Sequence, residues 1–489
     1  MPCILSVDFD LFSILSVGNT IVGTKLVHHQ LLDKCDINSP SLFGKVTGWL
    51  QMHNSNLVNF KTHRPSYQDY GLPATLLHSA FGKFVDCCKS SKCCDCNDYQ
   101  FTSKFCQEMC KVFGNEFDRK YAVNNLLSSY LGKNVSEAHL LPGIHSATDG
   151  TLFFVSEEQQ QPKVPILIVE VKNEMGIGSS DPNMQGFGYY LQMLKSNFYS
   201  KWRDCTVMPV LLLSITGPFI SFFFLANCDA AIMDPATFLC CLFLPHDIPQ
   251  MTMLARAFRA MKECINELEI SCRDALDVIT NDASIEQLKF PYFKSFLMQE
   301  GEKFELEYIE QLGLMRVFLA QIILSGKNTK VIVKFANSYC IEAHKICYDC
   351  LEGAPKLYFH GQLNGGWTVV VMEYLGDMKP SLTLTSAQYS VLEKIIMTLH
   401  SEGYVHGDFR RCNILVGSVD NQVIVSSSSS SSSADRVCVI DFDWSGREGD
   451  VTYPGFMNHI DVIWPEGASD NKFICKAHDL YFMMTYKPN

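Results

Sequence analysis

The segment His406-Gly407-Asp408-Phe409-Arg410-Arg411-Cys412-Asn413 leads into the apolar run Ile414-Leu415-Val416. Further on comes Val437-Cys438-Val439-Ile440-Asp441-Phe442-Asp443, and together these stretches constrain the chain more than any other part of it. Short apolar, β-branched runs of this kind read as buried strands, each with acidic or amide side chains at its end. Set side by side, the runs would bring Asp408, Asn413 and Asp441 into one site. One carboxylate can face an attacking hydroxyl, while the amide and the second carboxylate hold a divalent cation against phosphate oxygens. That is the donor set phosphoryl transfer needs.

The surrounding sequence supplies matching local structure. Residues 389–400 carry Val391, Ile395, Ile396 and Leu399 at helical spacing, with Gly403 placed to end the helix. Upstream, Lys330-Val-Ile-Val-Lys334-Phe reads as a strand that delivers Lys334, and Glu342 follows in Cys340-Ile-Glu-Ala-His. Trp367-Thr-Val-Val-Val-Met-Glu373-Tyr374 reads as a further buried strand running into a connection.

These segments, in this order, resemble the protein-kinase-like superfamily, with its H-R-D-x-x-x-x-N and D-F-G motifs. The resemblance implies ATP and Mg²⁺ as cofactors. It implies Asp408 and Arg410 as catalytic residues, Asn413 and Asp441 as metal ligands, and Lys334, Glu342, Glu373 and Tyr374 as the ATP-binding set. Glu342 stands in the position of the helix carboxylate that would hold Lys334, with Glu352 as the alternative.

The departures from the family pattern are specific. Gln311-Leu-Gly313-Leu-Met-Arg-Val317 keeps one glycine where the family has a glycine-rich loop. Gly407 replaces the arginine that commonly reads an activation-loop phosphate, so switching through that phosphate is not expected. Asp443 replaces the last residue of D-F-G and offers an extra carboxylate. Both changes resemble compact relatives such as lipopolysaccharide and aminoglycoside kinases. Trp464-Pro-Glu466 resembles the end of an activation segment and His478-Asp479 the start of the next helix, so a truncated C-lobe is expected.

A second constellation lies in the N-terminal half. Thr148-Asp149-Gly-Thr-Leu-Phe-Phe and Pro165-Ile-Leu-Ile-Val-Glu170-Val-Lys172 read as adjacent strands, with Glu170 and Lys172 on one face because they are two apart. Carboxylates on neighbouring strands can hold a divalent cation, and a lysine beside them can orient an attacking water. This resembles the PD-(D/E)XK restriction-endonuclease-like superfamily. The resemblance implies a nuclease-like site of Asp149, Glu170 and Lys172, joined by Glu116 on the preceding helix and Gln185 after the triad, with Mg²⁺ as its metal. Nuclease-like and kinase-like modules in this order resemble Crinkler-type and related eukaryotic kinase-like proteins.

The expected fold class is therefore α+β in two modules, a restriction-endonuclease-like α/β domain followed by a compact bilobal protein-kinase-like domain. The expected layout is an N-terminal helical or irregular region over residues 1–100, the nuclease-like domain over 101–282 and a linker over 283–302. The kinase-like domain follows over 303–489, with an N-lobe at 303–372 and a C-lobe at 376–489. Within this layout residues 251–268 read as an amphipathic helix and residues 304–311 as the first kinase strand.

With 47% hydrophobic and 19% charged residues over 489 positions, the chain has ample core material. A net charge of -12 argues against broad attraction to nucleic-acid backbone, leaving a local groove in the N-terminal half as the place for such a partner. Residues 207–226 form an uncharged apolar stretch of about membrane-spanning length. Gly217-Pro218 divides it, and no Lys or Arg cluster flanks it, so a buried hairpin is expected and no membrane partner. No basic n-region precedes the first apolar residues, and a secretory signal is not expected.

The 21 cysteines, scattered through apolar segments, suit a reducing intracellular compartment, cytoplasmic or nuclear. Those between Cys87 and Cys110 lack a clean C-x-x-C repeat, and zinc is not expected there. Ser426 to Ser433 reads as a flexible insertion between two strands. The function this supports is ATP- and Mg²⁺-dependent phosphate transfer to a hydroxyl acceptor, expected to be a protein serine or threonine. A metal-dependent nuclease with a regulatory kinase-like half, or an inactive pseudokinase scaffold, are the alternatives.

Overall fold

The computed structural model describes residues 39–54, 60–63, 72–90, 94–142, 146–156, 163–176, 180–228, 230–242, 247–280, 288–298, 301–313, 316–381, 383–417 and 436–488. The serine run 426–433 and part of the single-glycine loop after Gly313 lie outside these residues. The chain divides into two compact units, one ending at Phe293 and including Asn364–Gly366, the other comprising Lys294–Leu363 and Trp367–Asn489.

The first unit is built on a seven-stranded mixed sheet in the order β1-β7-β6-β5-β4-β3-β2. Its strands are β1 (Phe60–Lys61), β2 (Ser136–Ala138), β3 (Thr148–Phe154), β4 (Val164–Lys172), β5 (Val210–Thr216), β6 (Phe219–Asn227) and β7 (Ala231–Cys240). Among its helices are α1 (Ser79–Lys89), α2 (Cys96–Met109), α3 (Glu116–Leu131), α4 (Pro182–Lys195) and the long α5 (Ile248–Thr280). Central β4 is buried on every residue but the last, so it reads as an unbroken apolar run rather than an alternating one. Helix α4 packs on β4, β5 and β6, while α5 packs on β4 and β5 and against α1 and α2.

The apolar stretch 207–226 forms the β5–β6 hairpin, with Gly217 at φ +56° supplying the left-handed turn residue. Its aromatic side chains are core rather than lipid-facing. Phe224 stacks on Phe81 at 4.6 Å, and Phe222 meets Phe84 and Phe258. No helix among the described residues is long and apolar enough to cross a membrane.

The region 1–100 is described in part. Its described residues add β1 beside β7 and pack α1 against α5 within the first unit. Phe81 and Phe84 are fully buried on the sheet, and that burial ties the segment in.

The second unit opens with a two-stranded ribbon, β8 (Ser295–Leu297) and β9 (Lys303–Glu305). Part of the expected linker is thus a strand, because Phe296 is buried between Phe304 and Phe359. A five-stranded antiparallel sheet in the order β10-β11-β12-β14-β13 comes next. It comprises β10 (Glu307–Gln311), β11 (Val317–Leu324), β12 (Lys327–Ala336), β13 (Leu357–Leu363) and β14 (Trp367–Glu373), with α6 (Ile341–Asp349) inserted between β12 and β13.

Beyond the sheet lie β15 (Met378–Pro380), α7 (Ser386–Ser401), β16 (Tyr404–Val405), β17 (Ile414–Gly417), β18 (Val437–Val439), β19 (Gly446–Arg447) and α8 (Lys476–Met484). Thr385 and Gln388 close a capping box at the start of α7, whose buried Leu392, Ile395, Ile396 and Leu399 pack with Phe409, Ile414 and Phe442.

Leu213, fully buried on β5 between Val169 of β4 and Phe222 of β6, tests how far the first unit depends on this sheet. Leu213→Ala is expected to destabilise it by about 2–5 kcal/mol, read as a lowered denaturant midpoint with an unchanged slope.

Candidate functional site

Strand β12 carries Lys334 into the interior of the second unit, where the residue is only 9% exposed. An ammonium group that deep needs opposite charge. Its Nζ lies 2.5 Å from Asp441 Oδ1 and 2.6 Å from Asp443 Oδ1. Burial would push the Lys334 pKa down, but the two carboxylates outweigh it and the net shift is upward. For Asp441 burial acts upward and Lys334 prevails, giving a lowered pKa. Asp443 is the weaker acid, raised to about 7 by burial and by Asp441 against the pull of Lys334.

Pairing of β17 with β18 sets Ile414 opposite Val439, and the Ile440 amide donates to the Asn413 carbonyl at 2.9 Å. Asn413 and Asp441 are thereby brought to adjoining strand ends. Asn413 Nδ2 also donates to the Asp408 carbonyl at 2.9 Å and to Asp408 Oδ2 at 3.0 Å, and Arg410 grips the same carboxylate through Nε and Nη2. Asp408, Arg410, Asn413, Asp441 and Lys334 thus belong to one neighbourhood joined by hydrogen bonds and strand pairing.

Asp441 adopts φ +71°, a left-handed conformation uncommon outside glycine and asparagine. Phe442 is fully buried behind it, stacked on His344 at 4.9 Å with 9° between the rings. His406 Nε2 meets the Ile440 carbonyl at 3.1 Å, and the His406 and Gly407 amides donate to the two oxygens of Asp479 at 2.8 and 3.0 Å. Gly407 sits at φ +85°, and a Cβ there would fall 2.9 Å from Ile474 Cδ1 and 3.0 Å from the Trp444 carbonyl. Both the backbone angle and the space require glycine.

Three further residues of the expected ATP set have partners of their own. Glu342 lies exposed in the first turn of α6, with Cys340 Sγ 3.7 Å from its Oε2, and makes no ion pair with Lys334. The helix start favours an acid there whatever its other role. Glu373, at the end of β14, receives the Lys356 amide at 3.2 Å and Arg436 at 3.3 Å. The Tyr374 ring lies 5.8 Å from Lys330 Nζ.

In the first unit, β3 and β4 bring Asp149 and Glu170 together, since Gly150 pairs with Val169 and the Val171 amide donates to Asp149 Oδ2 at 2.9 Å. Lys172 Nζ lies 3.2 Å from Glu116 Oε1, joining α3 to the cluster. Gln185 on α4 is nearly buried and accepts from Ser180 at 3.1 Å. Glu170 is fully buried, and neither carboxylate oxygen has a hydrogen-bond partner of normal geometry. Burial, with the charge of Asp149 added, raises its pKa well above the usual carboxylate range, while Lys172 opposes.

Among the described residues no three His, Cys, Asp or Glu side chains close around a cation by themselves. Each unit instead offers a pair of oxygen donors, Asp441 with Asn413 in one and Asp149 with Glu170 in the other. Such pairs suit a hard divalent ion that completes its shell with phosphate oxygens and water. Of the cysteines between Cys87 and Cys110, Cys106 is buried beside Cys241, and Cys110 Sγ donates to the Cys241 carbonyl at 3.0 Å.

Comparison with family models and with curated proteins returned no match. Among solved structures the chain is similar to vaccinia related kinase 3, at 13% identity and TM-score 0.29, covering 40% of this chain and 67% of that one. It is also similar to the Cydia pomonella granulovirus kinase PK-1, at 15% identity and TM-score 0.22, covering 30% of this chain and 53% of that one. The chain thus spans about half the length of the granulovirus kinase. In the second unit Lys334, Asp408, Asn413 and Asp441 fall within one neighbourhood linked by hydrogen bonds and strand pairing.

His344 ties this site to pH. Burial pushes its pKa down to about 4, helped by Lys334 and opposed by the Pro355 carbonyl that its Nε2 meets at 2.7 Å. The unfolded chain therefore binds more protons between pH 4 and 6.5, so stability present above pH 6.5 is lost as pH falls through that window. Taking the chain from pH 7 to 4.5 is expected to cost the second unit about 2–3 kcal/mol through this residue. Denaturant melts at the two pH values should show His344→Gln losing that share of the dependence.

Proposed function

We propose that the second unit is an ATP- and Mg²⁺-dependent phosphotransferase acting on a hydroxyl acceptor, with a protein serine or threonine as the favoured acceptor. The observation that carries this reading is the buried lysine between two acids, tied by paired strands to an Asp–Asn couple. Mg²⁺, when bound, would neutralise charge on the β- and γ-phosphates. Asp441 and Asn413 would hold it, and Lys334 would pair with phosphate oxygens. Asp408, fixed by Asn413 and Arg410, would orient the acceptor hydroxyl and take its proton. Arg410 would then balance charge developing on the transferred group. Use of ATP and the many thiols favour an intracellular, cytoplasmic or nuclear setting.

With labelled ATP and Mg²⁺, the wild-type protein is expected to show a nucleotide-dependent thermal shift and phosphate transfer. Asp441→Ala should lower transfer by at least about 10²-fold. Asp408→Ala should lower transfer while keeping the thermal shift. A wild-type protein that takes up nucleotide without transferring phosphate would instead be a pseudokinase scaffold.

A second reading is favoured by Glu170, whose two buried oxygens lack hydrogen-bond partners of normal geometry beside Asp149. A buried carboxylate left in this way is unfavourable unless protonated or joined by a cation. The first unit would then hold Mg²⁺ or Mn²⁺ for nucleic-acid hydrolysis, with Lys172 orienting water. Mn²⁺ should raise its melting temperature, Glu170→Gln should abolish that rise, and plain DNA or RNA should be cut by the wild type but not by Lys172→Ala. No Mn²⁺ shift would remove this reading.

A further inference from the structure

Resting on the phosphotransferase reading, we infer that Asp443, and not the helix acid Glu342, is the positioning residue that holds Lys334 in place for the ATP phosphates. A lysine 9% exposed cannot do without a carboxylate, and it has two here. Asp441 is the one that a bound cation would draw away. Lys334 would then keep Asp443 at 2.6 Å as its remaining counter-charge. Glu342 is exposed and forms no ion pair with Lys334.

The backbone around Asp443 is held independently of this charge. Ser338 Oγ donates to the Asp443 carbonyl at 2.6 Å, and the Cys340 amide donates to the Phe442 carbonyl at 3.0 Å. Both donors lie in the short connection between β12 and α6, immediately after the strand that carries Lys334. The lysine and its acid are thus fixed to one stretch of chain. Tyr339, in the same connection, places its ring 5.6 Å from Lys334 Nζ and closes that side of the ammonium group. A glycine at position 443 would leave the ammonium with Asp441 alone, in competition with the cation.

The test compares Asp443→Asn, Asp443→Gly and Glu342→Gln in the full chain, by calorimetric titration with Mg²⁺–ATP and by steady-state kinetics. Both Asp443 variants are expected to weaken Mg²⁺–ATP binding about tenfold and to raise KM for ATP in proportion, with kcat changed less than about threefold. Glu342→Gln is expected to stay within about twofold of wild type. The nucleotide-free melting temperature, read alongside, should not follow the ATP affinity, as it would if Asp443 were merely structural. Wild-type-like binding in both Asp443 variants, or an equal loss in Glu342→Gln, would overturn the assignment and leave the phosphotransferase reading standing. A wild-type protein that binds no Mg²⁺–ATP would bring down that reading, and the role of Asp443 with it.

Discussion

A single buried carboxylate holds the site of the second unit together. Asp479, 1% exposed on α8, accepts the backbone amides of His406 and Gly407 and the ring of His400 from α7. Three separate elements meet on its two oxygens. From there the connection continues through the His406 ring to the Ile440 carbonyl, one residue before Asp441, and through Ser445 Oγ back to the His406 carbonyl. Removing this acid would leave two buried amides without acceptors, each costing on the order of 1–3 kcal/mol. The loop bearing Asp408 would then lose the register that sets it beside Asn413.

The two units treat buried charge in opposite ways. In the second, Lys334 lies between two acids, and burial together with the charge of Asp441 raises Asp443 to a pKa of about 7 against the pull of Lys334. In the first, Lys172 turns to Glu116 on a neighbouring helix, and Glu170 is left in the sheet with no hydrogen-bond donor of normal geometry. Surplus negative charge beside a lysine and an uncompensated acid in a core are different physical problems. In the proposed readings a divalent cation would relieve both.

Much of this was legible in the sequence because it lay in short-range pattern. The interval from Asp408 to Asn413, the strand-like runs on either side of it and the helix read over residues 389–400 all follow from local chemistry. So does the hairpin within residues 207–226, since Gly217 and Pro218 break the apolar run where a spanning helix could not. What was not legible depends on long-range pairing. Nothing near Asp479 announces that it will meet amides more than seventy positions earlier, although an acid opening an otherwise apolar helix is a faint sign. The resemblance implies Glu342 as the partner of Lys334, whereas the acids against Lys334 are Asp441 and Asp443 from far downstream. Residues 79–89 carry no motif, and their place in the first unit is set by Phe81 and Phe84 finding the sheet.

The crowded glycine before Asp408 closes off one evolutionary route. Replacing Gly407 with arginine would demand both a reversed backbone angle and the retreat of Ile474 and the Trp444 carbonyl. An arginine at that point would therefore come only with rebuilding of the chain around residues 444 and 474.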